Sequence, residues 1–276
     1  MSPIRSRRIG KRDSRTKLSK TQRQDRIVAE LKVDAALRVS DLAERFSVTT
    51  ETIRRDLDAL AERGLIARTY GGAASAGNSE PGFNERYRQR VEERRRLAEC
   101  GALLVEPGDV LMIDAGSTTT HFARRLAADG SDLTVFTNSV GVATALGSNS
   151  RVHVVLCPGD YDAHEGGVCG AETQAFLSRF HATKCFIGAS GLTAEGPSDA
   201  NTDAAWVKRV MIERSRRSVL LVDVSKFGVR AVDRICTLDA LDDIVSDGRP
   251  DRRLARAISR ANVSLHLARA RRKHAG

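Results

Sequence analysis

Val48-Thr49-Thr50-Glu51-Thr52-Ile53-Arg54-Arg55-Asp56-Leu57 is the stretch that decides how the N-terminal part of this chain folds. Thr49 stands where a helix N-cap belongs. Ile53, Leu57, Leu60 and Ala61 then recur on one helical face, with Thr50, Glu51, Arg54, Arg55 and Asp58 off it. Gly64 is expected to end this helix. Upstream, Ser40 is placed to cap a helix of about two turns that buries Leu42, Ala43 and Phe46 and breaks at Ser47-Val48. A first amphipathic helix fits Gln22 to Val33, with Ile27, Val28 and Leu31 inward and Arg23, Arg26, Glu30 and Lys32 outward. Two helices joined by a tight turn, the second bearing Thr and Arg near its N-terminal end, can set side chains in a DNA major groove and hydroxyls on phosphates. A helix used for protein contacts alone would not crowd Thr52, Arg54 and Arg55 together. The following Leu65-Ile66-Ala67-Arg68-Thr69-Tyr70-Gly71-Gly72 reads as a β-wing whose Arg68 and Tyr70 can touch the DNA backbone. The candidate DNA contacts are Ser40, Thr49, Thr50, Thr52, Arg54, Arg55, Arg68 and Tyr70.

Charge supports a polyanion partner. The 276 residues carry a net charge of +10, distributed as +7 over 1–77, −5 over 78–248 and +8 over 249–276. The middle is an ordinary, slightly acidic protein, and the two ends suit nucleic acid. With 41% hydrophobic and 29% charged residues the chain can bury a core, which excludes wholesale disorder and a fibrous repeat. No apolar run reaches the length of a membrane span, and the basic start is followed by more charge instead of a signal-peptide core. Five scattered cysteines, Cys100, Cys157, Cys169, Cys185 and Cys236, without a CxxC pair, fit reduced thiols in a cytoplasm, with neither a disulfide framework nor a metal site expected.

The expected organisation is a basic tail (1–20), a winged helix-turn-helix (21–74), a linker (75–91) around a charged connecting helix from Asn84 to Arg96, an α/β domain (92–250) and a basic C-terminal helix or tail (251–276). Apolar strands are expected at Val110–Ile113, Leu133–Phe136, Val152–Leu156, Cys185–Ile187, Val219–Val222 and Ile244–Val245, with helical stretches between most of them. That alternation implies a largely parallel sheet. Small and polar residues follow each strand: Asp114-Ala-Gly116-Ser117-Thr118-Thr119, Thr137-Asn138, Pro158-Gly159-Asp160, Gly188-Ala-Ser190-Gly191, Asp223-Val-Ser225-Lys226 and Ser246-Asp247. Open α/β sheets bind ligands at these strand ends. Gly116-Ser117-Thr118-Thr119 precedes an amphipathic stretch, so its free N–H groups can face an anion at a helix N-terminus; an ordinary cap is the plainer reading of the same residues. With Asp114 for hydroxyls, Thr137-Asn138 and the cation of Lys226, the loops make a coherent sugar-phosphate pocket.

The run Val48 to Leu57, followed by Arg68-Thr69-Tyr70-Gly71-Gly72-Ala73, resembles the N-terminal signature of the DeoR family of bacterial transcriptional regulators. The later segments resemble that family's effector domain, similar in fold to ribose-5-phosphate isomerase, glucosamine-6-phosphate deaminase and the CoA transferases. The matching motifs run through Asp114-x-Gly116-Ser117-Thr118, Thr137-Asn138, Gly188-x-x-Gly191, Val207-Lys208-Arg209-x-Met211-Ile212 and Asp223-x-Ser225-Lys226-Phe227-Gly228. The resemblance implies an α/β sugar-phosphate-sensing domain, adds Asp203 and Lys208 to the effector residues, and implies no cofactor. The chain departs from the pattern at Pro158, Arg94 and the acidic segment reduced to Asp203 beside Trp206. His164-Glu165-Gly166-Gly167-Val168-Cys169-Gly170 looks like the glycerol-3-phosphate-responsive members.

Three functions compete at this stage. The first is a repressor, a homodimer or homotetramer on a double-stranded DNA operator, modulated by a phosphorylated sugar or polyol. The second is a sugar-phosphate isomerase, deaminase or CoA transferase, for which Asp114, Asp203 and Asp223 could be nominated; no loop shows a paired acid and base, and His121, His153, His164 and His181 are isolated. The third is a nonspecific chromosome-binding protein driven by its tails, whose binding would be blind to sequence.

Overall fold

Capping residues and a buried ion pair shape the N-terminal unit. The computed structural model describes residues 18–31, 36–63, 66–69, 72–75, 81–129 and 131–268, and the chain divides into two units between Asn78 and Ser79. The first unit contains α1 (Lys20–Leu31), β1 (Ala36–Arg38), α2 (Val39–Phe46), α3 (Thr50–Glu62), β2 (Ile66–Thr69) and β3 (Gly72–Ser75). Ser19 and Gln22 form a capping box at the start of α1: the Ser19 hydroxyl accepts from the Gln22 N–H at 3.2 Å, and the Gln22 side chain accepts from the Ser19 N–H at 3.1 Å. α2 ends on Ser47 in the left-handed region (φ 52°), which reverses the chain, and Thr49 caps α3 by accepting from the Thr52 N–H. Ile27, Leu31, Leu42, Ile53, Leu57 and Leu60 fill the core, and β1, β3 and β2 form an antiparallel sheet in that order.

Three expectations change here. Ser40 does not cap α2; Arg38 holds that position, and the Ser40 hydroxyl turns to the Asp41 carboxylate at 2.8 Å. Arg23 is buried, not outward: its Nε lies 2.5 Å from Asp56 Oδ2, and Gln24 donates to Asp56 Oδ1 at 3.1 Å. The cation can sit inside because α3 brings a carboxylate to meet it. The first helix also starts earlier, at Lys20, and is described only to Leu31. Gly64, Tyr70, Gly71, the side chain of Arg68 and the basic residues 1–17 and 269–276 lie outside the described residues.

The second unit begins with α4 (Phe83–Arg88) and α5 (Val91–Ala102), so the stretch expected as linker and single connecting helix is two helices, broken at Arg90 with φ 49°. The chain continues through β4 (Val110–Ile113), α6 (Ser117–Asp129), β5 (Leu133–Thr137), α7 (Val140–Leu146), β6 (Val152–Leu156), β7 (Asp160–Asp162), β8 (Gly167–Cys169) and α8 (Ala171–Leu177). It closes with β9 (Lys184–Ile187), β10 (Gly191–Thr193), β11 (Gly196–Asp199), α9 (Thr202–Glu213), β12 (Ser218–Leu221), β13 (Asp233–Arg234), β14 (Asp243–Ser246), α10 (Arg252–Arg260) and β15 (Ser264–Leu267). Seven strands make one parallel sheet in the order β15-β14-β12-β9-β4-β5-β6, with β10-β11-β13 and β7-β8 as small antiparallel additions. Neighbouring residues of each central strand serve opposite faces. Met112, Ile187, Leu220 and Ile244 pack with α8, α9 and α10, whereas Ile113, Phe186, Leu221 and Val245 pack with α5, α6 and α7. Burial on both faces is why these strands appear as unbroken apolar runs.

β15 replaces the expected C-terminal helix or tail over 264–267. It pairs with β14 from Asp243↔Ser264 to Ser246↔Leu267, and the buried Asp243 carboxylate bonds both His266 Nε2 at 2.7 Å and Arg217. No helix among the described residues is long and apolar enough to cross a membrane.

Asp56→Ala should destabilise the first unit by about 3–5 kcal/mol, because it strands the buried Arg23 guanidinium. Urea unfolding followed through a probe in that unit reads this; a change under about 1 kcal/mol would show the pair to be energetically idle.

Candidate nucleic-acid interface and anion cleft

Capping by Thr49 aims the first turn of α3 outward. Thr49, Thr50, Glu51, Arg54 and Arg55 are exposed, and Thr52 is half-buried with its hydroxyl 2.9 Å from that of Thr49. The Arg54 and Arg55 side chains are 58% and 78% exposed and share Glu51, at 3.9 and 3.2 Å. Exposed helix pairs of this kind contribute only about 0.3–0.5 kcal/mol, so both guanidiniums can be surrendered to phosphates at little cost. Ser40 is exposed one helix away.

The strand order sets the second site. From β4 the chain proceeds through β5 and β6 to one edge, then returns to the other side of β4 as β9 and continues through β12 and β14 to β15. The topological switch therefore lies between β4 and β9, whose C-terminal ends open a crevice. Asp114 ends β4 with its N–H on the Phe186 carbonyl at 3.1 Å, while its carboxylate accepts the Gly188 N–H beyond β9 at 3.2 Å. α9 places Lys208 against it. Lys208 Nζ lies 3.0 Å from Asp114 and 2.9 Å from Asp199 at the end of β11, and all three are buried. Burial pushes the Asp114 carboxyl up to about 6 against the pull of Lys208. Asp199, although also desolvated, is held low by the Lys208 charge and the Asn201 N–H, and the two carboxylates hold the Lys208 ammonium high despite its burial.

A cleft opens beside this trio, lined by Gly116, Ser117, Thr118 and Thr119 at the N-terminus of α6, by Gly188, Ala189 and Ser190, and by Arg86, Arg94, Glu165, Asp199, Lys208 and Lys226. The first N–H groups of α6 have no partner within their own helix and carry its positive dipole end. Arg86 reaches the cleft from α4, donating to Glu165 at 2.8 Å and to the Pro81 carbonyl at 2.8 Å. Arg94 donates to the carbonyls of Arg86 and Gln89, which ties the break between α4 and α5 together. Four cationic side chains face two carboxylates on the cleft wall, with Asp114 behind Lys208, so the cleft suits an anion.

The expected effector residues fall into two groups. Gly116, Ser117, Thr118, Thr119, Gly188, Lys208 and Lys226 line the cleft, and Asp114 and Asn138 line a smaller hollow adjoining it. Thr137, Gly159, Gly191, Asp203 and Asp223 line neither. The Thr137 hydroxyl is spent on the Ile113 carbonyl at 2.6 Å and the Ser139 N–H at 3.0 Å. Asn138 braces two loops, accepting from Ala115 and donating to Val168, both at 2.9 Å. Gly159 and Gly191 serve close packing, since a Cβ would lie 2.1 Å from Thr173 Oγ1 and 2.2 Å from the Val229 carbonyl. Asp203 points to solvent from the first turn of α9, and Asp223 caps the turn that carries Lys226 while meeting Arg90 at 3.5 Å. Sequence reasoning missed Arg86, Glu165 and Asp199 as wall residues, quoted Ser190 only within a strand-end loop, and noted Arg94 only as a departure from a pattern. Glu165 was in view, in a quoted motif, without a role.

Comparison with known proteins follows this division. A family model described as the DeoR C terminal sensor domain matches residues 89–248, and one described as a DeoR-like helix-turn-helix domain matches residues 23–78. The chain is 32% identical over 252 residues to the glycerol-3-phosphate regulon repressor of Escherichia coli (strain K12), covering 91% of this chain and 100% of that protein. It is 30% identical over 250 residues to the HTH-type transcriptional regulator GolR of Listeria innocua, covering 90% and 98%. Among solved structures, ribose 5 phosphate isomerase A from Neisseria gonorrhoeae aligns with a TM-score of 0.40 and 18% identity over 51% of this chain and 56% of that one.

The raised Asp114 carboxyl gives a pH test. The folded state binds this proton more tightly than the unfolded chain, so the Asp114 contribution to stability falls as pH rises from about 4 to about 6 and is constant above. Asp114→Asn cannot titrate. The stability difference between the wild type and this variant should therefore move against the wild type by up to about 3 kcal/mol between pH 4 and 7. A difference independent of pH, measured by urea unfolding, would contradict the assignment.

Proposed function

The chain belongs to the DeoR family of transcriptional regulators, and from that premise we propose that it is a repressor whose cleft in the sensor domain binds a phosphorylated sugar or polyol and thereby changes its hold on an operator. α3 carries the sequence reading, and the wing adds backbone contacts. Thr50, Thr52, Arg54 and Arg55 enter the major groove or its phosphates, and Arg68 and Tyr70 of the wing meet the backbone. Two or four copies read repeated or inverted half-sites, as a symmetric oligomer requires.

The observation that carries the effector reading is the meeting of the α6 N-terminus with the cations Arg86, Arg94, Lys208 and Lys226 in one cleft. A phosphate takes the N–H groups of Ser117 to Thr119 and the cations, and Glu165 and Ser190 take the hydroxyls of the carbon chain. Asp114, which the sequence suggested for hydroxyls, instead fixes Lys208. Arg86 supplies the response. An incoming phosphate competes with Glu165 for its guanidinium, which would release α4 from the Glu165 loop. The effector must bind one arrangement better than the other, since equal affinity would shift nothing. The relative named for a glycerol-3-phosphate regulon makes that compound the first to test.

The experiment is binding to DNA upstream of the protein's own gene at fixed salt, with glycerol-3-phosphate, other sugar phosphates and their unphosphorylated parents. Release by one phosphorylated compound and not by its parent is expected; sequence-specific binding indifferent to the whole panel would remove the effector reading. Arg55→Ala should weaken binding and lower the slope of log K against log salt by about 0.9 without altering thermal stability. An unchanged slope would remove Arg55 from the interface.

A further inference from the structure

The C-terminal charge excess is concentrated on a folded helix as well as on the chain end. α10 reads Arg252-Arg253-Leu254-Ala255-Arg256-Ala257-Ile258-Ser259-Arg260 and contains no acid. Leu254 and Ile258 are buried in the core of the sensor domain, and the Asp251 carboxylate caps the helix by accepting from the Leu254 N–H at 2.8 Å. The helix is therefore held firmly by one face. At 100° per residue, Arg252, Arg253, Arg256 and Arg260 fall within one stripe on the other face, and all four are exposed. Among the described residues none of the four forms an ion pair, and the adjacent Asp251 is spent on the cap. Like charges at i,i+4 destabilise a helix, and Arg252, Arg256 and Arg260 repeat that spacing twice. Packing against the sheet asks for Leu254, Ala257 and Ile258 and for none of the arginines, so it does not account for the stripe.

We propose that this arginine stripe is a second DNA contact, made by the sensor domain to the phosphate backbone of a duplex without reading its sequence. From Arg252 to Arg260 the helix rises roughly 12 Å, and one DNA strand presents a charge every ~3.4 Å of axis, so the stripe spans about three phosphates. Guanidinium forks suit phosphate oxygens better than point charges do. The exposed side of α10 carries no large apolar residue with which to enter a bilayer, which favours DNA over an anionic membrane. The winged helix already brings duplex DNA to this chain, so a weak second contact gains from high local concentration. This inference rests on the DNA-reading function proposed above, and it adds affinity while leaving the choice of site to α3.

The test uses the full chain and a random-sequence duplex, with log K measured against log salt for the wild type, for R252Q/R256Q/R260Q and for R252K/R256K/R260K. The Gln variant should lose about 2–3 from the slope, and the Lys variant should keep it. Discrimination between random duplex and DNA from upstream of the protein's own gene should survive in both. An unchanged slope in a Gln variant that melts like the wild type would overturn the proposal. Should that variant not fold, arginine modification of the wild type by phenylglyoxal decides: protection of Arg252, Arg256 and Arg260 by the duplex supports the contact, and undiminished modification overturns it. Protection by phosphatidylglycerol vesicles and not by duplex also overturns it, in favour of a membrane. Failure of the DNA-reading function itself looks different, as a wild type that shows no sequence discrimination at all.

Discussion

Lys208 is held between Asp114 and Asp199 in a place that water scarcely reaches, and three separate parts of the sensor domain meet at its ammonium. Asp114 ends the central strand, Asp199 ends a strand of the small antiparallel sheet, and Lys208 comes from α9, whose start is fixed by the Asn201 cap. None of the three can be buried alone without a penalty of several kcal/mol. Each therefore constrains the others, and together they fix the wall of the cleft. The Gly188 N–H on Asp114 draws in the loop after β9 as well. A buried ionic cluster of this sort is poor evidence for stability. Its consequence is geometric: a cation at a defined position beside the N-terminus of α6.

The remainder of the architecture serves that position. Parallel order with a switch between β4 and β9 opens the crevice, and the Gly116 carbonyl, accepting from the Thr119 and Thr120 hydroxyls, fixes the start of α6 beside it. In the N-terminal unit the pair Arg23 and Asp56 has a comparable part at smaller scale, pinning α1 to α3 from within while the opposite side of α3 is left to Arg54 and Arg55. Both units thus spend buried charge on orientation and leave exposed charge for partners.

Much of this could be read from the sequence because the governing physics is local. The five inner strands β14, β12, β9, β4 and β5 are buried on both faces and announce themselves as apolar runs, the edge strand β6 shows through its valines, and α3 announces itself through Thr49 and a regular stripe. β15 did not, because Ser264 and His266 interrupt it and it lies at the sheet edge, half-exposed, held by Asp243 from another strand. The strands around Pro197 and Ser198 carry glycine, proline and serine, residues that read as loop. Arg23 was assigned to solvent because helical periodicity sees charge but not the carboxylate 33 positions away. Arg86 and Asp199 escaped for the same reason. Their place on the cleft wall depends on ion pairs between distant segments, whereas Gly116 to Thr119 and Lys226 follow directly from strand ends. Ser40 had the right chemistry for a cap and stood two residues too late.

The central claim is that an organic phosphate sits at the N-terminus of α6 within reach of Lys208 and Lys226. The most direct test is an amide NMR titration of the full chain with glycerol-3-phosphate and, separately, with glycerol. The account predicts saturable shifts concentrated at Gly116 to Thr119 and Gly188 to Ser190 for the phosphorylated compound, with none for glycerol. Shifts confined to other surfaces, or equal responses to the two compounds, would contradict it.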